Sequence, residues 1–492
     1  MKKFFTEFLA KIKNLDNFVN DYKVNTNAVF MPSKAYLNWG MNLALSGSIN
    51  EAIEKFEMSA SMAYSDAESY LNWGIALAKL KRFEEALDKF DEALRIDKLY
   101  TRAFSLKGAA LVELNRIDEA QEAYDNAIRL SPDDPEIYTN WGIVLARLNQ
   151  KQKAQEQFKK AIKVMPLNVN ARFLLGVVLY EQNKLKEAID EFLFAVKLEP
   201  KHSMAFYYLS LSYTKTEKFQ DALNCALNAH RLEPYRVDFL VNLAECYYDL
   251  GQIRNALRSY KIAKSYNPHD YTLLISSGIF YQKVAKYPKS INNLKKALLL
   301  QSNDILAKYY LGISYLGNGQ YDKAKAIFAG ILEEDSGFLD ALLQLALVYE
   351  ACEDWDNAIK AFLELFSKSK RFTNNFINIA NCYAQTGNYE KAIEYYKLAF
   401  EYNNHDYKPH YELAKLYLER LNDVRNALRS IRAANKLKVN DAKINALYSD
   451  VLFADKDVNG AIEKIDIAID KDENNSEYHQ KKAFFLEKKA SG

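Results

Sequence analysis

Five asparagines recur in register with a 34-residue spacing, and their amides could bind a polypeptide backbone. They stand at multiples of 34 residues from one another: Asn38, Asn72, Asn140, Asn242 and Asn378. A carboxamide offers two N–H donors and a carbonyl acceptor, so it can pair with a peptide whatever side chains that peptide carries. The pattern predicts a row of polar contacts for a peptide, provided that one kind of structural element presents the asparagines on one side.

Residue types that perform catalysis do not converge in this sequence. The six histidines form no H-E-x-x-H motif and no zinc spacing with the cysteines, and there is no phosphate-binding loop. The four cysteines, Cys225, Cys246, Cys352 and Cys382, form no Cys-x-x-Cys motif and are expected to be reduced thiols of a cytoplasmic protein. We predict a protein that is not an enzyme and that has no catalytic residues, no cofactor and no metal.

The charge balance argues against a nucleic-acid partner. Lys and Arg number 66 against 64 Asp and Glu, and the formal net charge of +2 gives no field that would steer the whole molecule toward polyanions. No stretch has 18 apolar residues in a row, which predicts no transmembrane segment. With 49% hydrophobic residues and only 16 Gly and 9 Pro among 492 residues, the chain is expected to be folded.

A 34-residue period runs through the chain and predicts the elements that present the asparagines. Five prolines stand 34 residues apart, from Pro132 to Pro268. With Ser33 as position 1, position 8 is small in twelve successive units, position 20 is small in eleven, and position 24 is mostly Phe or Tyr. Because small residues let two helices approach closely, each unit is predicted to be a pair of helices, A and B, that stacks on the next pair.

This pattern resembles the tetratricopeptide repeat, W-x2-L-G-x2-Y…A-x3-F…P, over about residues 33–475. Tryptophan replaces the family's Leu before the Gly in three units, at Trp39, Trp73 and Trp141. One residue is inserted between Tyr417 and Ala427. Ankyrin, armadillo and HEAT repeats fit poorly because their periods differ. The resemblance implies an all-α fold, a right-handed α-solenoid superhelix of antiparallel helix pairs. The asparagine row is partly similar to that in the superhelical repeat arm of O-GlcNAc transferases.

We expect three segments. Residues 1–32 are predicted to form an N-terminal amphipathic capping helix and connector, residues 33–475 about thirteen repeats, and residues 476–492 a C-terminal capping helix. The N-terminal stripe has helical spacing: Phe4, Phe8, Ile12, Leu15, Val19 and Tyr22. Two alternatives stay open for this helix. It could lie reversibly on a membrane surface, helped by Lys2, Lys3, Lys11 and Lys13, or dock into a partner or a second copy.

The resemblance further implies that the A helices line a concave groove, with positions 5, 6 and 9 among the lining ones. Position 6 carries the five asparagines, and the predicted apolar floor at positions 5 and 9 consists of Leu37, Met41, Leu71, Ile75 and Ile143. An apolar floor with sparse polar groups suits an extended or helical peptide. Because three of the amides fall in the first four units, we place the main groove in the N-terminal third. The tyrosine-rich C-terminal half is the alternative.

The sequence therefore predicts a non-catalytic scaffold or adaptor that binds a protein or peptide in its concave groove and assembles a complex. The alternative is the substrate-recruiting subunit of a separately encoded enzyme such as a glycosyltransferase. An RNA-binding solenoid is disfavoured by the net charge and by the period. Chaperone C-terminal tails are not expected as ligands, because position 5 carries no Lys in units 1 to 12.

Overall fold

The computed structural model describes residues 32–63 and 66–491, which fold into paired α-helices. The chain divides into two compact units: unit 1 extends to Tyr266, and unit 2 begins at Asn267. The described residues form 27 α-helices, one 3-10 helix and no strand. The predicted all-α helical-repeat solenoid is therefore confirmed.

Unit 1 contains seven helix pairs, repeats 1 to 7, in which odd-numbered helices are A helices and even-numbered ones are B helices. Their bounds are α1 Pro32–Ser46, α2 Ile49–Met62, α3 Ala67–Lys79, α4 Phe83–Ile96, α5 Thr101–Glu113, α6 Ile117–Leu130, α7 Pro135–Arg147, α8 Lys151–Val164, α9 Val169–Glu181, α10 Leu185–Leu198, α11 Ser203–Lys215, α12 Phe219–Leu232, α13 Val237–Asp249 and α14 Ile253–Tyr266.

Unit 2 contains repeats 8 to 13 and one last helix. The bounds are α15 Tyr271–Lys283, α16 Tyr287–Leu300, α17 Ile305–Gly317, α18 Tyr321–Glu334, α19 Leu339–Ala351, α20 Trp355–Lys368, a 3-10 helix Lys370–Asn375, α21 Phe376–Gln385, α22 Tyr389–Tyr402, α23 Lys408–Glu419, α24 Val424–Leu437, α25 Ala442–Ala454, α26 Val458–Lys471 and α27 Ser476–Ser491.

The small residue at position 8 makes room for the large side chain at position 24 of the same repeat. A Cβ atom placed on Gly142 would lie 2.6 Å from Cε1 of Phe158, and one on Gly176 would lie 2.6 Å from Cε1 of Phe192. Both phenylalanines are fully buried. The ring at position 24 also reaches the next repeat, since Tyr124 stacks on Trp141 with ring centroids 4.6 Å apart. This close approach explains why the sequence keeps a small residue at position 8.

Each A-to-B turn is closed by one residue in the left-handed region. In repeat 4, Asn149 has φ of 58°, and Gln150 N–H donates to the Leu145 carbonyl at 2.9 Å, the hydrogen bond of a Schellman motif. Glycine supplies this residue in four repeats, at Gly47, Gly251, Gly319 and Gly387. The repeated turn sets helix B antiparallel to helix A in every pair.

The predicted one-residue insertion lies in the A-to-B turn of repeat 12. There Asp423 N–H donates to the carbonyl of Tyr417, six residues earlier. In the other A-to-B turns the equivalent donor and acceptor are five residues apart, as for Gln150 and Leu145. Asn422 takes the left-handed conformation in this turn, with φ of 49°. The extra residue is absorbed in the loop, so the helices on either side keep their packing.

Of the two predicted capping helices, the structure describes the C-terminal one. The predicted N-terminal capping helix lies outside the described residues. At the other end, α27 packs on repeat 13 through Tyr478 and Phe485, which are buried with Leu452 and Ile465. None of the helices between residues 32 and 491 has the length and apolarity that a membrane crossing needs.

Candidate functional site

The predicted site residues lie on the A helices, on the face that carries positions 5, 6 and 9, called here the A-helix face. Asn38 on α1 is exposed and Asn140 on α7 is half-buried. Met41 and Ile75, at position 9 of repeats 1 and 2, are also half-buried. These four side chains keep surface that a ligand could touch.

Two of the five predicted amides, both in unit 1, already form hydrogen bonds within the protein. Asn72 is buried, and its Nδ2 donates to the Glu68 backbone carbonyl one turn earlier, at 2.9 Å. Asn242 is 3% exposed, and its Nδ2 donates to Oγ of Ser210 in the neighbouring repeat, at 2.8 Å. Ser210 Oγ also lies 3.3 Å from Cys246 Sγ. The Asn72 bond lies within helix α3, whereas the Asn242 bond links two repeats; breaking either buried hydrogen bond would cost about 1–3 kcal/mol.

Asn378 in unit 2 belongs to a polar pair that the sequence did not reveal. Its Nδ2 donates to Oε2 of Glu350 on α19 at 2.9 Å. Burial raises the pKa of Glu350, and the hydrogen bond from Asn378 opposes this rise. Burial likewise raises the pKa of Glu412 on α23, which Lys415 partly offsets. The A-helix face of repeats 10 to 12 therefore carries half-buried carboxylates.

Three of the five predicted floor residues lie in the core instead of on open surface. Leu37 is 4% exposed, Leu71 is fully buried and Ile143 is 1% exposed. Each packs in a separate core cluster of unit 1. Leu37 and Leu71 at position 5 and Ile143 at position 9 are covered by these clusters, so the structure does not join the five residues into one apolar floor.

A continuous apolar strip is found instead on the A-helix face of unit 2. Positions 5, 6 and 9 of repeats 8 to 10 are all half-buried, and we call them the unit 2 strip: Ile275, Ser276, Ile279, Tyr309, Tyr310, Ile313, Leu343, Gln344 and Leu347. Six apolar members pack their inner sides against the unit 2 core, namely Ile275, Tyr309, Tyr310, Ile313, Leu343 and Leu347. Their outer sides form a surface of aliphatic and aromatic groups with a serine and an amide among them.

Aromatic packing fixes the centre of this strip. The ring of Tyr309 makes edge contacts with Tyr310 and Phe338, with centroids 5.5 and 5.4 Å apart. Burial raises the pKa of Tyr309, the Asp340 carboxylate adds to the rise, and a hydrogen bond with Gln344 opposes it. At neutral pH this phenol keeps its proton, so the centre of the strip presents neutral rings and one amide.

The described residues hold no group of three His, Cys, Asp or Glu side chains that could bind a metal ion. Cys246 and Cys382 are buried, and burial raises the pKa of both thiols, that of Cys382 to about 12. A thiol with such a pKa stays protonated at neutral pH and is a poor nucleophile.

Comparison with protein families agrees with the repeat geometry. Two models described as tetratricopeptide repeat match residues 315–369 and 374–406, within the helix pairs of repeats 9 to 11. The chain is a tetratricopeptide repeat protein. The family that the sequence predicted is thereby confirmed. A further model, described as the C-terminal domain of cilia and flagella-associated protein 70, matches residues 17–206. No curated protein matches the chain.

Solved structures give partial likenesses. YrrB, described as a TPR protein with an unusual peptide-binding site, is 26% identical, covers 38% of this chain and 95% of its own, and has a TM-score of 0.31. The APC/C hetero-tetramer Cut9–Hcn1 is 13% identical over 92% of this chain and 96% of its own, with a TM-score of 0.43. The type IV pilus biogenesis factor PilW is 19% identical over 42% and 96%, with a TM-score of 0.38.

The unit 2 strip was missed because the sequence reasoning followed asparagines. At position 6, Ser276, Tyr310 and Gln344 interrupt the asparagine row. The available signal was the combination of apolar residues at position 9 with hydroxyl or amide groups at position 6 in three successive repeats.

Proposed function

We propose that this tetratricopeptide repeat protein is a non-catalytic scaffold that binds a protein partner through a peptide segment on the A-helix face, and that the unit 2 strip is the main contact surface. Tetratricopeptide repeats generally serve protein interaction, which supports a scaffold in general terms. The observation that carries the proposal is the half-buried strip of aliphatic and aromatic side chains over three repeats, with Ser276 and Gln344 among them.

The chemistry of the strip favours a peptide with apolar anchor residues. Aliphatic and tyrosine side chains whose inner sides are packed against the core have restricted rotamers, so they lose little conformational entropy when a ligand covers them. An amide such as Gln344 can pair with the ligand backbone and set its register. We place the main surface here rather than in the N-terminal third, because unit 1 buries Leu37, Leu71 and Ile143. Of the predicted amides, we retain Asn38, Asn140 and Asn378 as accessible or half-accessible contacts.

The test is selection of binders from a displayed random-peptide library on the full chain. We expect enrichment of peptides with aromatic or aliphatic anchors. Tyr310→Ala and Leu347→Ala should each weaken a selected peptide by about 5- to 30-fold, as expected for anchors worth about 1–2 kcal/mol. The matched control is Leu299→Ala, since Leu299 is 85% exposed on the B helix α16 and lies off the strip.

Melting curves of the three variants separate lost binding from lost folding. The proposal fails if selection yields no peptides, or if Tyr310→Ala and Leu347→Ala bind as well as Leu299→Ala. It also fails if only Asn38→Ala and Asn140→Ala weaken the selected peptides, because the surface would then lie in unit 1.

A further inference from the structure

The sequence R-N-A-L-R-S occurs twice in the chain, each time at the start of a B helix. It covers residues 254–259 on α14 in unit 1 and residues 425–430 on α24 in unit 2. The alanine and the serine of each copy are buried, so the packing of the helix pair accounts for them. The four arginines are exposed, and packing of the core does not explain why they recur.

Each copy begins a row of four cations on the solvent face of its helix, since spacings of three and four residues keep side chains on one face. In α24 the row stands at positions 18, 22, 25 and 29, with the inserted residue of repeat 12 left out of the count: Arg425, Arg429, Arg432 and Lys436. In α14 the row consists of Arg254, Arg258, Lys261 and Lys264. All eight residues are exposed, and neither helix contains an acidic residue. We call these rows the α24 stripe and the α14 stripe.

The two stripes are not neutralised within the described part of the chain. None of the eight cations forms an ion pair with a described carboxylate. The guanidinium of Arg432 uses one of its five N–H donors, because its Nε donates to the Tyr448 hydroxyl at 3.3 Å. The stripes therefore keep most of their donors and all of their charge for a ligand.

The arrangement of these cations opposes the stability of the free helices. Arg254 and Arg425 lie in the first turn, where the helix dipole disfavours a positive charge. Arg258 and Arg429 follow four residues later, and like charges at that spacing repel each other. No other repeat has cations at both position 18 and position 22. A ligand with negative charge would turn this repulsion into attraction.

The neighbouring repeats limit the width of an anion that fits the α24 stripe. At the same four positions, repeat 11 carries Glu390, Glu394, Lys397 and Glu401, and repeat 13 carries Asn459, Glu463, Asp466 and Asp470. A flat anionic membrane or a nucleic-acid duplex would cover these acids together with the stripe, and the like charges would repel it. A single polypeptide chain is narrow enough to follow the stripe alone.

The length and chemistry of the stripe indicate what that chain carries. From Arg425 to Lys436 the helix rises about 16 Å, which an extended peptide of about five residues spans. A guanidinium is planar and pairs with a carboxylate through two parallel hydrogen bonds, whereas an ammonium acts as a point charge. Arginine at positions 18 and 22 of both stripes therefore suits the carboxylates of Asp and Glu.

We propose that the α14 stripe and the α24 stripe each bind a short acidic segment, rich in Asp and Glu, of a protein partner. The acidic segments dock on B helices, whereas the unit 2 strip lies on A helices, so the scaffold has a second kind of binding surface. With one stripe in each unit, the chain holds two acidic segments.

Photo-cross-linking of the full chain with an octaglutamate peptide that carries benzoylphenylalanine at its centre tests both stripes at once. Peptide mapping should place the label on α14 and on α24. Arg425→Gln combined with Arg429→Gln should lower the label on α24 by about tenfold and leave that on α14 unchanged. Arg254→Gln combined with Arg258→Gln should do the reverse. The stripe that keeps its label shows that the variant is folded.

The matched control is Lys360→Gln combined with Lys397→Gln, which removes the same charge from exposed sites on the B helices α20 and α22. Both labels should persist in this control, and an octaglutamine peptide with the same photoreactive residue should label neither stripe. Equal loss of label in the control and in the arginine variants would overturn the proposal, because net charge would then be the cause. Label concentrated elsewhere, such as on the lysines of α8, would overturn it as well.

Competition with other anions identifies the class of ligand. Unlabelled octaglutamate should displace the label better than oligouridylate or phosphatidylserine vesicles at equal concentration of negative charge. Better displacement by either phosphate ligand would overturn the proposal. Sedimentation velocity adds one further check, since a dimer that both arginine variants abolish would make a second copy of the chain the occupant and would also overturn it. A peptide selected on the unit 2 strip should not compete, so this result is independent of the proposed function.

Discussion

Two glycines of repeat 9 should respond in opposite ways to the same substitution. A Cβ atom on Gly312 in α17 would lie 2.6 Å from Cε1 and 2.7 Å from Cζ of Phe328, and 3.2 Å from Cγ2 of Ile327. Phe328 is fully buried, so its ring has no free space to move into. A Cβ atom on Gly330 in α18 would meet no atom within 4 Å. Gly312→Ala and Gly330→Ala therefore bring the same gain in helix propensity, but only Gly312→Ala introduces a steric clash.

The magnitudes follow from these contacts. Replacing Gly by Ala inside a helix gains about 1 kcal/mol at either site. Overpacking against Phe328 costs about 1–3 kcal/mol. Gly330→Ala should stabilise repeat 9 by about 1 kcal/mol, whereas Gly312→Ala should leave it unchanged or destabilise it by up to about 2 kcal/mol. The expected difference of about 1–3 kcal/mol corresponds to about 5- to 150-fold in an opening equilibrium.

Native-state hydrogen exchange in α17 and α18 is the appropriate assay, because repeat arrays open locally and a single unfolding free energy is not defined for them. Protection in these helices should rise in Gly330→Ala and be at least about 5-fold lower in Gly312→Ala than in Gly330→Ala. Equal protection in the two variants would refute the close A–B packing at position 8.

Three further predictions concern stability. Ala285 has a left-handed turn conformation with φ of 54°, so Ala285→Gly should raise the local stability by about 0.5–1 kcal/mol, whereas Gly319→Ala, at φ of 72°, should lower it by about 1 kcal/mol. Hydrogen exchange at the two turns measures both changes, and changes of the same sign would contradict the argument. Burial raises the pKa of Glu350, so the stability that its protonated form contributes is full below the ordinary glutamate pKa and is lost as pH rises through the raised value. Melting temperatures measured from about pH 4 to 7 should therefore depend less on pH in Glu350→Gln than in the unchanged chain. An equal dependence on pH in both proteins would show that other groups cause it. Phe485 on α27 is 3% exposed, so Phe485→Ala should cost about 3–5 kcal/mol of stability and increase hydrogen exchange in α25 and α26. Phe484 is 44% exposed, so Phe484→Ala should cost under about 1 kcal/mol. Equal effects of the two changes would mean that α27 does not cover repeat 13.

The repeat architecture could be predicted because its causes are local. Small residues such as Gly142 and large ones such as Phe158 meet within a single helix pair, so their spacing in sequence reports their contact. The inserted residue of repeat 12 was predicted for the same reason, since it shifts the register between Tyr417 and Ala427. The confirmed fold depends on these short-range relations.

The exposure of the A-helix face could not be predicted, because it depends on contacts between repeats. Asn242 is inaccessible because Ser210, 32 residues away, accepts its amide hydrogen. Leu71 is fully buried and Ile75 is half-buried, although both are apolar residues of one helix face. Which of the two is covered depends on the neighbouring repeats that pack against the helix, and the spacing within one repeat does not record those contacts.

Hydrogen exchange of the full chain, with and without a saturating peptide selected on it, tests the central claim most directly. Binding on the unit 2 strip predicts increased protection in α15, α17 and α19, centred on Tyr310, with little change in the B helices α16 and α18. Protection confined to the B helices, or to unit 1 alone, would contradict the claim that this face of unit 2 is the surface by which the scaffold holds its partner.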